Sequence, residues 1–214
     1  MKPSVLIVGL GRFGTAAALE LMSLGHEVLA VDVDEATIND VAAEVTHAAQ
    51  LDATDENALK SVGAGDFEFA IVAISSSTDA SIFATMALKN LGVSQVIAKA
   101  ATKLHGAILE RIGADRVIYA EKEMGERVAH SLSIPGVLEY LDVAPRFGII
   151  KTRPPEGWVG KSIKELQLGT RRLSPVALRR GQDVTVNPSS DVVLAATDVL
   201  ILLGRDQDLE KIGH

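Results

Sequence analysis

The sequence predicts an α/β protein: a doubly wound parallel sheet of six strands, a crossover helix, and a small α+β module at the C-terminus. Three observations carry the prediction. Short apolar runs rich in β-formers alternate with helix-like stretches over the first 140 residues, the pattern of βαβ units. The runs are continuously apolar, as strands buried on both faces require. Gly25, Gly63, Gly92 and Gly113 each follow a helical stretch, where a left-handed residue ends a helix.

Strands are expected at Val5–Val8, Val28–Val31, His47–Leu51, Phe69–Ile74, Gln95–Ala98 and Arg116–Tyr119. Helices are expected between them, at 13–24, 35–45, 55–62, 79–91 and 103–112, with Asp55 and Asp79 at N-cap positions. After the sixth strand a further helix, Glu121–Leu132, carries Met124, Val128, Ala129 and Leu132 on one stripe. It has no seventh strand to return to, and Ser133-Ile134-Pro135-Gly136 breaks it. Its stripe needs a surface to cover, and a second subunit is the candidate. Beyond it, strands are expected at Phe147–Thr152, Leu173–Arg179, Val184–Val186 and Val199–Leu203, with one short helix at Ser162–Leu168. The expected organisation is therefore residues 1–120, a helix and linker at 121–140, and a module at 141–214. A module that small has a thin core, which favours dimerisation.

Composition removes several classes. There is no cysteine, so no disulfide framework, thiolate metal site or cysteine nucleophile. The longest apolar runs, such as Val199–Leu203, fall far short of the ~20 residues of a membrane helix. The N-terminus enters a strand at once with no signal-peptide pattern, so a cytoplasmic location is expected. The net charge of −7 argues against nucleic acid as a partner. Residues 1–140 hold 10 basic and 19 acidic side chains and residues 141–214 hold 11 and 9, a step from −9 to +2 that suggests two units with different partners.

The strongest local signal is Gly9-Leu10-Gly11-Arg12-Phe13-Gly14, which follows the first strand and opens a helix. This is the Rossmann-like dinucleotide fingerprint in its required context. Gly9 allows the tight turn, Gly11 clears space for a phosphate, and Gly14 lets helix and strand approach; the N–H groups at the helix start then face the anion. Asp32, 21 residues after Gly11, supplies the second half. A carboxylate there accepts from ribose hydroxyls and repels a 2′-phosphate, favouring NAD or plain adenine nucleotides; it could equally cap the next helix. Arg12 can swing over the phosphates. Ile74, Ser75 and Ser76 lie at the topological switch point, Asp52 and Ala53 can border an adenine, and Lys99 closes the fifth strand. His105 can reach a ligand from the fifth crossover. No catalytic residue is expected: the histidines lack metal spacing, and Tyr119 has Glu123 rather than lysine four positions on. An NAD-dependent oxidoreductase or a stand-alone NAD(H)-sensing domain remains the alternative, since fold alone does not fix function.

Residues 8–14, Gly25–Asp32, Ile71–Ile74, Lys99-Ala100, Arg111–Ile118 and Glu121–Gly125 together resemble the RCK (regulator of conductance of potassium) family, and within it the cytosolic gating subunits of bacterial Ktr/Trk potassium transporters, the KtrA/TrkA type. The resemblance spans nearly the whole chain, as a KTN domain and a TrkA-C module. It implies a homodimer assembling into an octameric ring, peripheral at the inner face of the membrane and docked on a KtrB/TrkH-like pore subunit. It implies ATP or ADP, alternatively NAD(H), at the glycine loop, with Arg12 at the terminal phosphates, Asp32 at the ribose, and Lys99 and His105 on further parts of the ligand. It also implies a cation (Mg2+, Ca2+ or Na+) at Glu121, where a carboxylate beside a polyphosphate would need one. In some relatives cyclic di-AMP binds the C-terminal module between subunits; here Val176, Ala177, Arg179, Arg180 and Pro188 correspond, and Arg171-Arg172 with Arg179-Arg180 would supply the charge.

Overall fold

The computed structural model describes residues 2–134 and 136–213, and the chain divides after Glu121 into two compact units. In the first unit six parallel strands form one sheet: β1 (Val5–Val8), β2 (Val28–Asp32), β3 (His47–Gln50), β4 (Phe69–Val72), β5 (Gln95–Lys99) and β6 (Arg116–Ile118). Their order is β3-β2-β1-β4-β5-β6, the doubly wound order. The pairs Leu6↔Leu29 and Leu6↔Ala70 set the register around β1. All four residues of β1 are buried, which explains the absence of polar alternation in the sequence. Two aliphatic cores lie on the two faces, one built around Leu6, Val8, Leu59, Leu88 and Leu109, the other around Val5, Ile7, Ala18, Val28 and Ile38.

The crossover helices are α1 (Arg12–Ser23), α2 (Glu35–Val41), α3 (Glu56–Ser61), α4 (Thr78–Asn90) and α5 (Lys103–Arg111). Gly25, Gly63, Gly92 and Gly113 all adopt positive φ. Asp55 caps α3, accepting from Asn57 N–H at 2.9 Å. Asp79 does not cap α4. That helix begins one residue earlier, and the Ser77 hydroxyl accepts from Ala80 N–H at 3.1 Å, leaving Asp79 in the first turn. Nor does Asp32 cap α2; Asp34 does, accepting from Ala36 N–H at 3.0 Å. α2 and α3 are shorter than their periodicity predicts.

Helix α6 (Ala120–Ser133) follows β6, and no residue of it is buried. Met124, Val128 and Leu132 are exposed, as the unpartnered stripe implies. Of the expected break after it, Pro135 lies outside the described residues. The second unit then holds an antiparallel sheet of five strands where the sequence pattern shows four: β7 (Val137–Ala144), β8 (Phe147–Thr152), β9 (Leu173–Arg180), β10 (Asp183–Val186) and β11 (Val199–Arg205), in the order β10-β9-β11-β8-β7. The unforeseen strand is β7, an edge strand mostly open to solvent, so it lacks a continuous apolar signature. Tyr140 and Val137 hold it to the core. Tyr140 lies over Gly148, whose missing Cβ would come within 2.4 Å of the ring, and donates to Asp206 Oδ1 at 2.9 Å. The short helices α7 (Ile163–Leu166) and α8 (Asp206–Leu209) complete the unit; Ser162 and Glu165 form a capping box on α7. Ile150, Leu200, Leu202, Leu209 and Trp158 form its core. No helix among the described residues is long and apolar enough to cross a membrane.

Candidate functional site

A cavity of about 580 Å³ opens where β1 and β4 diverge, at the carboxyl ends of the strands. Gly9, Gly11, Asp32, Asp52, Ala53, Ile74, Ser75 and Ser76 line it, as the sequence motifs predict. The glycines earn their positions in three different ways. Gly9 sits at φ +92°, and a Cβ there would meet Ile74 N at 2.9 Å. At Gly14 a Cβ would fall 1.9 Å from the Gly9 carbonyl oxygen, so the helix could not approach its own loop. At Gly11 a Cβ would meet nothing within 4 Å; what that glycine keeps clear is the space of the pocket itself.

The start of α1 is electrically bare. Gly11 offers no side-chain cap and the first turn holds no acid. The leading N–H groups of α1 therefore retain the partial positive charge of a helix N-terminus. The loop is braced from two sides. Thr15 Oγ1 donates to the Leu10 carbonyl at 2.8 Å, and the Leu10 N–H donates to Asp32 Oδ2 at 2.6 Å. Asp32 Oδ1 accepts from Asp34 N–H at 3.0 Å. Asp52 accepts from Thr54 N–H and Thr54 Oγ1, and these bonds hold its pKa below the usual carboxylate value. Asp34, Thr37 and Thr54 join the wall, residues that motif spacing does not single out because their positions come from the start of α2 and the turn after β3. This wall carries three carboxylates, a poor surface for a 2′-phosphate.

Arg12, Phe13, Gly14, Lys99, His105 and Glu121 lie outside that wall. Lys99 and Glu121 come together instead. Lys99 Nζ donates to Glu121 Oε1 at 2.5 Å, with the lysine side chain 6% exposed and the glutamate 72%. The ammonium also sits 5.8 Å from the centre of the Phe13 ring, a cation–π contact. Lys99, and more weakly Arg12, holds the Glu121 carboxyl below its ordinary pKa. Arg12, Phe13, Lys99 and Glu121 thus form one cationic cluster with a single acid. The sheet order sets Asp52 and Asp32 on one side of the glycine loop and this cluster on the other. From β2 to β5 is three strand spacings, about 14 Å.

His105 is buried. Its Nδ1 accepts from Ala101 N–H at 3.3 Å, its Nε2 has no partner among the described residues, and burial lowers its pKa. For a cation at Glu121 the donor set within one chain does not fit: Lys99 already neutralises the carboxylate, and no group of three or more His, Cys, Asp or Glu among the described residues could hold a metal. Arg171-Arg172 and Arg179-Arg180 do not form one cluster either. Six residues of β9, Leu173–Leu178, separate Arg172 from Arg179, roughly 23 Å of strand. Arg180 is moreover committed, its guanidinium donating to both oxygens of the fully buried Asp198 at 2.8 and 2.7 Å.

The fold and the glycine-loop pocket define a class, a Rossmann-type nucleotide-binding domain joined to a small antiparallel module. The particular family is the TrkA one, to which this chain belongs: the TrkA-N domain matches residues 5–120 and the TrkA-C domain residues 149–213. The chain is 37% identical to the Ktr system potassium uptake protein A of Bacillus subtilis (strain 168), over 97% of this chain and 94% of that protein. It is 34% identical to the Ktr system potassium uptake protein C of the same organism, over 99% and 96%. Among solved structures it is similar to the GsuK RCK domain (TM-score 0.70, 20% identity, all of this chain and 48% of that one) and to the GsuK channel bound to NAD (TM-score 0.69, 18% identity, 40% of that chain). The chain spans about half or less of those structures' length, and the likeness is one of fold.

Proposed function

We propose that this chain is the cytoplasmic, nucleotide-sensing subunit of a potassium transport system, and that nucleotide binding in residues 1–120 gates a membrane pore subunit. The family is one of transport subunits rather than enzymes, and the relatives' names point to potassium uptake. The observation that carries the reading is the polarity of the site. Carboxylates at the ends of β2 and β3 suit ribose and adenine; the bare helix start, Arg12 and Lys99 suit a phosphate chain running the other way. ATP or ADP fits this gradient, and NAD(H) is the second ligand to test, since the GsuK channel has been solved bound to NAD.

Glu121 gives the site a way to report its occupancy. It is the second residue of α6, the helix in which the chain passes from the first unit into the second. A terminal phosphate that draws Lys99 or Arg12 loosens their hold on Glu121 and so on the start of α6. A ligand moves an equilibrium only by its differential affinity, so a triphosphate acts if it engages these cations more than a diphosphate does. The exposed stripe of α6 suits pairing of two subunits, and dimers assembling into an octameric ring on the pore subunit would carry the change outward.

Calorimetry with ATP, ADP, NAD and NADH tests the reading. Binding of adenine di- and triphosphates is expected, with Arg12→Ala narrowing the difference between them. Unchanged discrimination removes Arg12 from the mechanism. Preference for NAD(H), with turnover of a substrate, would replace the reading by the oxidoreductase one. Co-purification with a membrane potassium transporter tests the partner.

A further inference from the structure

The second unit contains a cavity of about 640 Å³ that the nucleotide reading leaves unused. It lies between the turn that precedes β9 and the helical segment that ends the described chain. Arg171, Arg172 and Lys211 line it against a single acid, Asp208, and Leu173 and Ile212 supply a buried apolar wall. In a chain of net charge −7, three cations around one concavity are a local surplus.

The turn fixes the backbone of both arginines, and Arg171 and Lys211 also have side-chain contacts. The turn is closed by N–H bonds from Thr170 to Gln167, Arg171 to Leu168 and Arg172 to Gly169, all near 3.0 Å. Arg172 sits at φ +59°, a left-handed conformation that a side chain rarely adopts. Arg171 lies over the buried ring of Trp158, its guanidinium carbon 5.9 Å from the centroid. Among the described residues neither arginine has a carboxylate within ion-pair distance, in contrast to Arg180. Lys211 is kept local by Asp208 at 3.5 Å, whose second oxygen is buried without a hydrogen-bond partner among the described residues. Two planar forks and an ammonium beside an apolar wall suit a phosphorylated solute: the forks take the oxygens in pairs and the wall takes the organic part.

We propose that this cavity is a second, separate anion site of the protein, which binds a small phosphorylated molecule through Arg171, Arg172 and Lys211. It lies wholly within the second unit and does not rest on the nucleotide reading. A concave pocket favours a free solute over the same phosphate chemistry on a lipid headgroup.

Trp158 is the sole tryptophan of the chain and stands directly under Arg171, so its emission reports on the site. The test titrates inorganic pyrophosphate into the full chain at constant ionic strength, following both heat and tryptophan emission. The wild type should give a saturable response. The Arg172→Asn/Lys211→Gln pair should weaken it at least tenfold; asparagine tolerates the left-handed turn, and glutamine still donates to Asp208. Lys164→Gln, an exposed cation of the same unit outside the cavity wall, should leave the response unchanged. Identical titrations in the wild type and the double variant overturn the proposal, as does the absence of a saturable response in both signals. Phosphatidylglycerol vesicles form the second arm. Binding to them that depends on Arg172 and Lys211, without a pyrophosphate response, overturns the solute in favour of a lipid.

Discussion

The Leu10 N–H donates to Asp32 Oδ2 at 2.6 Å, which makes the acid at the end of β2 a structural brace of the glycine loop as well as a candidate ribose acceptor. The carboxylate already carries two backbone hydrogen bonds, from Leu10 and Asp34, and keeps its remaining lone pairs for a ligand. Asp32→Ala should therefore weaken nucleotide binding and also loosen the loop without ligand. The expected stability loss is about 1–3 kcal/mol, from a charge-assisted bond removed in a half-buried place. Asp32→Asn keeps an acceptor for Leu10 and should lose affinity with most of the stability retained. Chemical denaturation of both variants, with and without ADP, checks this; equal stability loss in both would contradict it.

Gly11 and Gly14 should separate binding from folding. A methyl at Gly14 collides with the Gly9 carbonyl, so Gly14→Ala should cost several kcal/mol or prevent folding, an overpacking that backbone cannot relieve. A methyl at Gly11 meets no protein atom within 4 Å, so Gly11→Ala should fold with near-normal stability and lose nucleotide affinity. A Gly11→Ala variant that melts as early as Gly14→Ala would refute the assignment.

Lys99 and Glu121 are unequal partners, one buried and one exposed. Glu121→Gln should cost under about 1 kcal/mol, since the exposed carboxylate is solvent-screened. Lys99→Met keeps the buried stem and drops the charge. It should leave the unliganded melting point close to wild type while lowering ATP affinity more than ADP affinity. Calorimetric titration of the two nucleotides decides it.

The pair of half-exposed Arg180 and buried Asp198 sets the acid limit of the second unit. Arg180 holds the Asp198 carboxyl below its ordinary pKa, with the Ala195 N–H bond helping. A depressed carboxylate contributes stability that is present above its unfolded pKa, near 3.9, and lost as pH falls through the folded value. Unfolding followed by Trp158 should show this loss below about pH 4. Asp198→Asn, with no charge to titrate, should be less stable at pH 7 and flatter in that window. Arg180→Ala should destabilise more than Asp198→Asn at pH 7, since it leaves the buried carboxylate with only the Ala195 N–H bond.

The legible part of the site was the part made by one segment of chain. Gly9–Gly14 and Asp32 were readable because turn chemistry and spacing are local, and every one of the first unit's six strands was visible as an apolar run. The illegible part depended on partners distant in sequence. Nothing local marks Glu121 as the partner of Lys99, Ser77 rather than Asp79 as a cap, or β7 as a strand, since an edge strand open to solvent needs no apolar run.

The sequence by itself determined the doubly wound sheet, the glycine loop and the acid that accompanies it, because buried strands and tight turns constrain residue type position by position. Only the tertiary structure decided which charges remain available. It joined Lys99 to Glu121, spent Arg180 on Asp198, withdrew His105 into the core, and set Arg171 and Arg172 beside Lys211, 39 positions beyond Arg172. The physical reason is that a charge acts through the neighbours that folding gives it, and those neighbours come from other strands and helices.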